Sequence, residues 1–254
     1  NADNLIAGKF LGKTMLGYYS LAFQLASIPL DKIVSIVSQV AFPVFSELQH
    51  NSKLLKDYFI KIVRSIAFIT FPIFLGTMLA ADDAVSLLLT DKWSPAILPL
   101  KILCVISTLR AINDINIPLV IAKGRPNLAI LNTLICAIVL PVAFYIGSFY
   151  GLTGFSYAWL FTFPVLFLIT TYISLKTINI SILEYFKELR HIFLATIFMV
   201  IFVLVFRETI LVDTSGIIRL SGIILIGSVS YFLYYFIFNR EILYETRKIF
   251  NRKK

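Results

Sequence analysis

The sequence predicts an all-α, polytopic transmembrane bundle of about seven spans. Three observations carry that prediction. Of the 254 residues, 59% are hydrophobic and 15% are charged, where soluble domains average roughly 25% charged. The mean hydropathy is +0.88. Apolar runs long enough to cross a bilayer recur along the chain, each needing about 20 residues.

In order, the runs fall near 15–45, 60–81, 96–122, 127–149, 152–175, 191–206 and 217–238. The first twelve residues read as the end of an earlier span, and the start at Asn1, without an initiator Met or signal peptide, reads as a piece of something longer. No charged residue occurs between Asn127 and Leu175, and the stretch from Gly147 to Gly154 punctuates that run, which predicts a helical hairpin. Residues 178–190 mix Ile182, Leu183, Phe186 and Leu189 with Glu184, Lys187, Glu188 and Arg190, the pattern of an amphipathic surface helix. The expected organisation is a transmembrane lobe over 1–176, an amphipathic connector over 177–190, two terminal spans over 191–238 and a basic tail over 239–254.

Lys and Arg in the loops predict the orientation. Fifteen of the 23 lie in one set of segments: Lys53, Lys56, Lys61 and Arg64; Lys123 and Arg125; Lys176, Lys187 and Arg190; and Arg240, Arg247, Lys248, Arg252, Lys253 and Lys254 in the tail. The opposite set holds five, Lys9, Lys13, Lys92, Arg207 and Arg219, beside Asp82, Asp83, Asp91, Glu208 and Asp213. The first set is expected in the cytoplasm. Its distribution in alternate loops also turns the net charge of +9 away from nucleic acid and toward anionic lipid.

Polar residues at membrane depth are costly and mark cavities or partners. In the first full span Gln24, Ser27, Asp31, Ser35 and Ser38 recur at helical spacing and draw one polar stripe; Lys32 sits beside it. The stripe reads as a cavity wall or as a sealed helix–helix contact. In the span 96–122, Arg110 is central and Asn113, Asp114 and Asn116 follow. Arg110 and Asp114, at i and i+4, can pair along one face, so the site reads either as substrate-facing or as a structural ion pair. Lys101 lies about two turns from the outer end and can snorkel. The candidate cavity residues are therefore Arg110, Asp114, Asn113, Lys32, Asp31, Gln24 and Lys101. Prolines at 29, 72, 118, 141 and 164 are candidate bends. His50 and His191 lack a metal-ligand cluster, Cys104 and Cys136 sit in apolar runs, and no nucleotide-binding loop occurs. No catalytic residue, metal or cofactor is expected.

Several short stretches resemble a known family: Ala2-Asp3-Asn4 with Gly8-Lys9-Phe10-Leu11-Gly12, Leu16-Gly17-Tyr18-Tyr19-Ser20-Leu21-Ala22, Phe42-Pro43-Val44-Phe45-Ser46-Glu47-Leu48-Gln49, Pro72 with Gly76, Trp93, and Ala122-Lys123-Gly124-Arg125-Pro126. Together they resemble the C-terminal half of the Wzx-type polysaccharide exporters of the multidrug/oligosaccharidyl-lipid/polysaccharide superfamily. Beyond residue 176 only the hydropathy pattern agrees. The resemblance implies the second lobe and final helix pair of a fourteen-helix flippase in the bacterial inner membrane, with the C-terminus cytoplasmic. It also implies alternating-access export of a polyprenyl-diphosphate-linked glycan, with Lys32, Arg110 and Lys101 attracting the anion, and a partner in the missing N-terminal lobe or another copy of the chain. The competing expectations are a multidrug-type cation antiporter of the same fold, which would favour intramembrane carboxylates, and a membrane glycan polymerase or ligase, which would carry a large periplasmic loop.

Overall fold

Apolar side chains recurring on every face leave the backbone no partner but itself in a bilayer, and continuous helices are the result. The computed structural model describes residues 2–210, 214 and 216–238. Among them the helices are α1 (Ala2–Phe10), α2 (Gly12–Leu48), α3 (Ser52–Leu88), α4 (Ile97–Asn113), α5 (Asn116–Ala122), α6 (Pro126–Ser148), α7 (Gly151–Lys176), α8 (Ile182–Thr209) and α9 (Gly216–Phe238), with a 3-10 turn at Asp91–Ala96. Seven stretches are long and apolar enough to cross a membrane, the 3-10 turn, α4 and α5 together counting as one. Asn1, Asp213 and the six basic tail residues lie outside the described residues.

The turns have local causes. α1 and α2 form a hairpin about Leu11 and Gly12, whose φ of +84° suits glycine. Asn51 caps α3 by accepting from the Leu54 amide at 3.2 Å. α5 ends in a Schellman turn: the Arg125 amide reaches the Val120 carbonyl at 2.9 Å and Gly124 takes a φ of +68°. In the α6–α7 hairpin a Cβ on Gly147 would lie 2.6 Å from the Gly154 carbonyl oxygen, so the two helices touch through bare backbone.

Two expectations change. The amphipathic segment 178–190 and the span 191–206 form one helix, α8, rather than a surface helix followed by a short span. Ser181 begins it, accepting from the Glu184 amide at 3.1 Å, the start of a capping box. At 28 residues α8 is ~42 Å long, enough to cross the hydrocarbon core and project its first charged turns beyond it. Glu188 there meets Arg64 of α3 at 3.5 Å. Second, the span 96–122 is broken at Asp114 and Ile115. Pro118 has no N–H to offer the Asp114 carbonyl, which removes one rung of the ladder at that point. The other prolines, at 29, 72, 141 and 164, remain inside continuous helices.

Loops expected on one side meet in space. Lys56 Nζ donates to the Asn179 carbonyl at 2.8 Å, and Lys123 Nζ to the Gln49 carbonyl at 3.0 Å. Lys123 thereby caps the C-terminus of α2, where cations are favoured, and Lys56 ties the turn after α7 to α3. At the opposite end Asp82 and Asp83 of α3 gather Lys101 of α4, Arg207 of α8 and Arg219 of α9. The bundle thus has one lysine-capped end and one ion-paired end.

Candidate functional site

α4 lies against α2, α3 and α7, and Arg110 stands near its C-terminal end. Its guanidinium carbon is 5.5 Å from the ring centroid of Phe23 on α2 and 5.5 Å from that of Trp159 on α7. The cation lies within cation–π range of both rings, each such contact contributing about 0.5–2 kcal/mol depending on desolvation. Among the described residues Arg110 makes no ion pair with Asp114. The structural ion pair offered by their i, i+4 spacing is therefore not formed. Asp114 stays within electrostatic range of Arg110 and of Asp31. Each ring presents its face to the guanidinium carbon, and a guanidinium carries its N–H donors in a planar fork. Such a fork suits a forked anion, a carboxylate or a phosphate.

Behind the aromatic pair runs a hydrogen-bonded line. Trp159 Nε1 donates to the Tyr19 hydroxyl oxygen at 2.8 Å, and the Tyr19 hydroxyl donates to Asp3 Oδ2 at 2.9 Å. All three side chains are buried. Tyr19 packs edge-on against Phe155 at 4.9 Å, and Phe144 stacks on Phe155 at 5.0 Å. Ser20 Oγ meets Asn4 Oδ1 at 3.2 Å one step along. The two motif stretches around residues 3 and 19 thus bond to each other across the α1–α2 hairpin.

At the break below Arg110, Asn113 Oδ1 accepts from Asn116 Nδ2 at 3.2 Å and stands 2.8 Å from Thr170 Oγ1 of α7. Asn116 Nδ2 also reaches Thr171 Oγ1 at 3.1 Å. Asn113 is thereby engaged in fastening the broken span to α7. Lys101 is engaged as well: its Nζ lies 2.8 Å and 2.7 Å from the two carboxylate oxygens of Asp82, at the ion-paired end. The structure does not bring it to Arg110. Gln24, Asp31 and Lys32 are exposed on α2, as is Ser35, while Ser27 is buried. So the stripe divides: Ser27 packs inward, Ser38 is half-buried, and Gln24, Asp31 and Ser35 lie open. A polar face at that depth is costly against lipid.

Sequence reading alone missed Phe23, Trp159, Tyr19 and Asp3. A tryptophan in a long charge-free stretch was the available signal for Trp159, and Asp3 was legible as an acid within an apolar helix end.

The family described as polysaccharide biosynthesis protein matches residues 1–98, which covers α1, α2, α3 and the 3-10 turn. The teichuronic acid biosynthesis protein TuaB of Bacillus subtilis (strain 168) is 29% identical over 202 residues, 77% of this chain and 41% of that protein. An uncharacterized membrane protein in the cps region of Klebsiella pneumoniae is 28% identical over 249 residues, 97% of this chain and 51% of that protein. The lipopolysaccharide biosynthesis protein WzxC of Escherichia coli (strain K12) is 27% identical over 179 residues, 70% of this chain and 36% of that protein. The chain spans about half the length, or less, of these curated relatives. On these matches and on its helical architecture, the chain is a multi-pass membrane protein similar, over part of its length, to proteins of polysaccharide biosynthesis, WzxC among them.

Proposed function

We propose that the chain forms the C-terminal half of a lipid-linked glycan flippase, and that Arg110 receives the anionic part of the cargo. The observation that supports this reading is the Arg110 guanidinium set against Phe23 and Trp159, which makes no salt bridge among the described residues. A cation at membrane depth costs roughly 2.5–3.5 kcal/mol on insertion scales. Here the two rings locate it without a salt-bridged partner, an arrangement that suits a binding group. The open polar residues of α2, Gln24, Asp31 and Lys32, would form the adjoining wall of a hydrated cavity, with Asp114 on its floor.

On this reading the cargo is a glycan carried on a polyprenyl diphosphate; the relatives are named for teichuronic acid and lipopolysaccharide biosynthesis. The diphosphate or an acidic sugar engages the Arg110 guanidinium, and the cavity opens alternately to each side of the bacterial inner membrane. Alternating access requires a facing half, either an N-terminal lobe or a second copy of the chain. The lysine-capped end and the tail face the cytoplasm. The protein acts as a transporter and makes or breaks no bond in the glycan.

Complementation tests this. In a strain lacking its polysaccharide flippase, the chain joined to a matching N-terminal lobe should restore surface polysaccharide, and the chain alone should not. Failure of the joined protein, at normal membrane abundance, would sink the reading.

A further inference from the structure

We infer that Asp3 and Tyr19 are positioning residues for the Arg110 site, acting through Trp159. This inference rests on the proposed role of Arg110 as the anion-binding group. The line is directional. Tyr19 has one hydroxyl proton and gives it to Asp3 Oδ2 at 2.9 Å, which leaves its oxygen lone pairs to accept the Trp159 indole N–H at 2.8 Å. The indole is thereby fixed at its nitrogen on one side while its π face lies 5.5 Å from the guanidinium carbon. A ring free to turn about its side-chain torsions would carry that face away from Arg110. The guanidinium would then lose one of the two rings that locate it.

The line does more than packing requires. Tyr19 is fully buried, and its ring already packs edge-on with Phe155; a phenylalanine would make that contact equally well. The hydroxyl is present at the cost of burying a phenol, an indole N–H and a carboxylate of which 7% is exposed. The phenol and the indole N–H each find their partner in this line, and its far end is the ring that lies against the site's cation. α1 therefore reaches the site without touching the cargo. It contributes the acceptor that sets the tyrosine, the tyrosine sets the tryptophan, and the tryptophan sets the arginine.

The chain has two tryptophans, so Trp93→Phe leaves Trp159 as its reporter. The membrane protein carrying that change, reconstituted in nanodiscs, gives two readouts: Trp159 emission without ligand, and its quenching by inorganic pyrophosphate. Tyr19→Phe should shift emission to shorter wavelength and weaken pyrophosphate binding about fivefold, the worth of one hydrogen bond. Asp3→Leu should do the same. Asp3→Asn keeps an oxygen that accepts from Tyr19, and both readouts should stay near the parent. Unchanged emission and affinity in Tyr19→Phe would overturn the inference, and so would an Asp3→Asn protein as impaired as Asp3→Leu. If the parent binds no pyrophosphate, or Arg110→Gln binds it equally well, the anion reading fails. The ligand-free emission series then still decides whether Asp3 and Tyr19 hold Trp159.

Discussion

Lys101 is the residue whose assignment the structure alters most, and removing its charge gives a worked prediction. Lys101 Nζ reaches both oxygens of Asp82, at 2.8 Å and 2.7 Å, and Arg207 reaches Asp82 Oδ2 at 3.6 Å. Both Lys101 and Asp82 side chains are 35% exposed, so the full value of a buried pair does not apply. Exposed pairs contribute about 0.2–1 kcal/mol; short distances and the shared network place this one near the top, at about 1 kcal/mol. Lys101→Gln should therefore lower the midpoint of thermal unfolding by about 2–4 °C on the scale of a chain this size. In a cycle of Lys101→Gln, Asp82→Asn and the double change, the coupling should be about 1 kcal/mol and should shrink at high salt. Scanning fluorimetry in detergent or nanodiscs measures it. Pyrophosphate affinity should be unaffected, because Lys101 sits at the ion-paired end rather than beside Arg110. Coupling within experimental error of zero, or a loss of pyrophosphate binding in Lys101→Gln, would refute this assignment.

Two further predictions follow from the fold. Single cysteines at Ser52 and Ser94, both exposed and at opposite ends of α3 and its following turn, should differ in a background lacking Cys104 and Cys136. An impermeant thiol reagent added to intact spheroplasts should label position 94 and spare position 52; the reverse pattern would invert the proposed topology. Gly147→Ala places a Cβ 2.6 Å from the Gly154 carbonyl oxygen, which α6 and α7 relieve only by separating. Overpacking of this kind costs about 1–3 kcal/mol, so membrane abundance and thermal midpoint should both fall. A variant as stable as the parent would show that the hairpin contact is looser than described.

Much of the architecture was legible because it is local. The hairpin at Gly147–Gly154 and the turn at Lys123–Pro126 are fixed by residues a few positions apart, and hydropathy alone locates the spans. α8 was split because Glu184, Lys187, Glu188 and Arg190 interrupt the apolar run, yet Ser181 and Glu184 spell a helix start well before the first purely apolar stretch. Those charges fall in the first turns of the helix, where Glu188 pairs with Arg64 of α3, and hydropathy cannot register that. Arg110 stood out by depth, but its neighbours did not. Local spacing offered Asp114 as partner, whereas the fold supplies Phe23 and Trp159 from two other helices. Lys101 looked like a second cavity cation because Asp82 lies on another helix, across the turn between α3 and α4. Residues brought together by helix packing leave no spacing in the chain for a reader to find.

The central claim is that Arg110 serves the cargo and not the fold, and export by Arg110 variants in the complete transporter tests it most directly. Arg110→Gln should abolish export while protein abundance stays near normal. Arg110→Lys should retain a part, since a point charge still attracts phosphate although stacking and the forked geometry are lost. Arg110→Leu combined with Asp114→Leu removes both charges and should accumulate in the membrane yet stay inactive. An active double variant would contradict the account and leave Arg110 a purely structural residue.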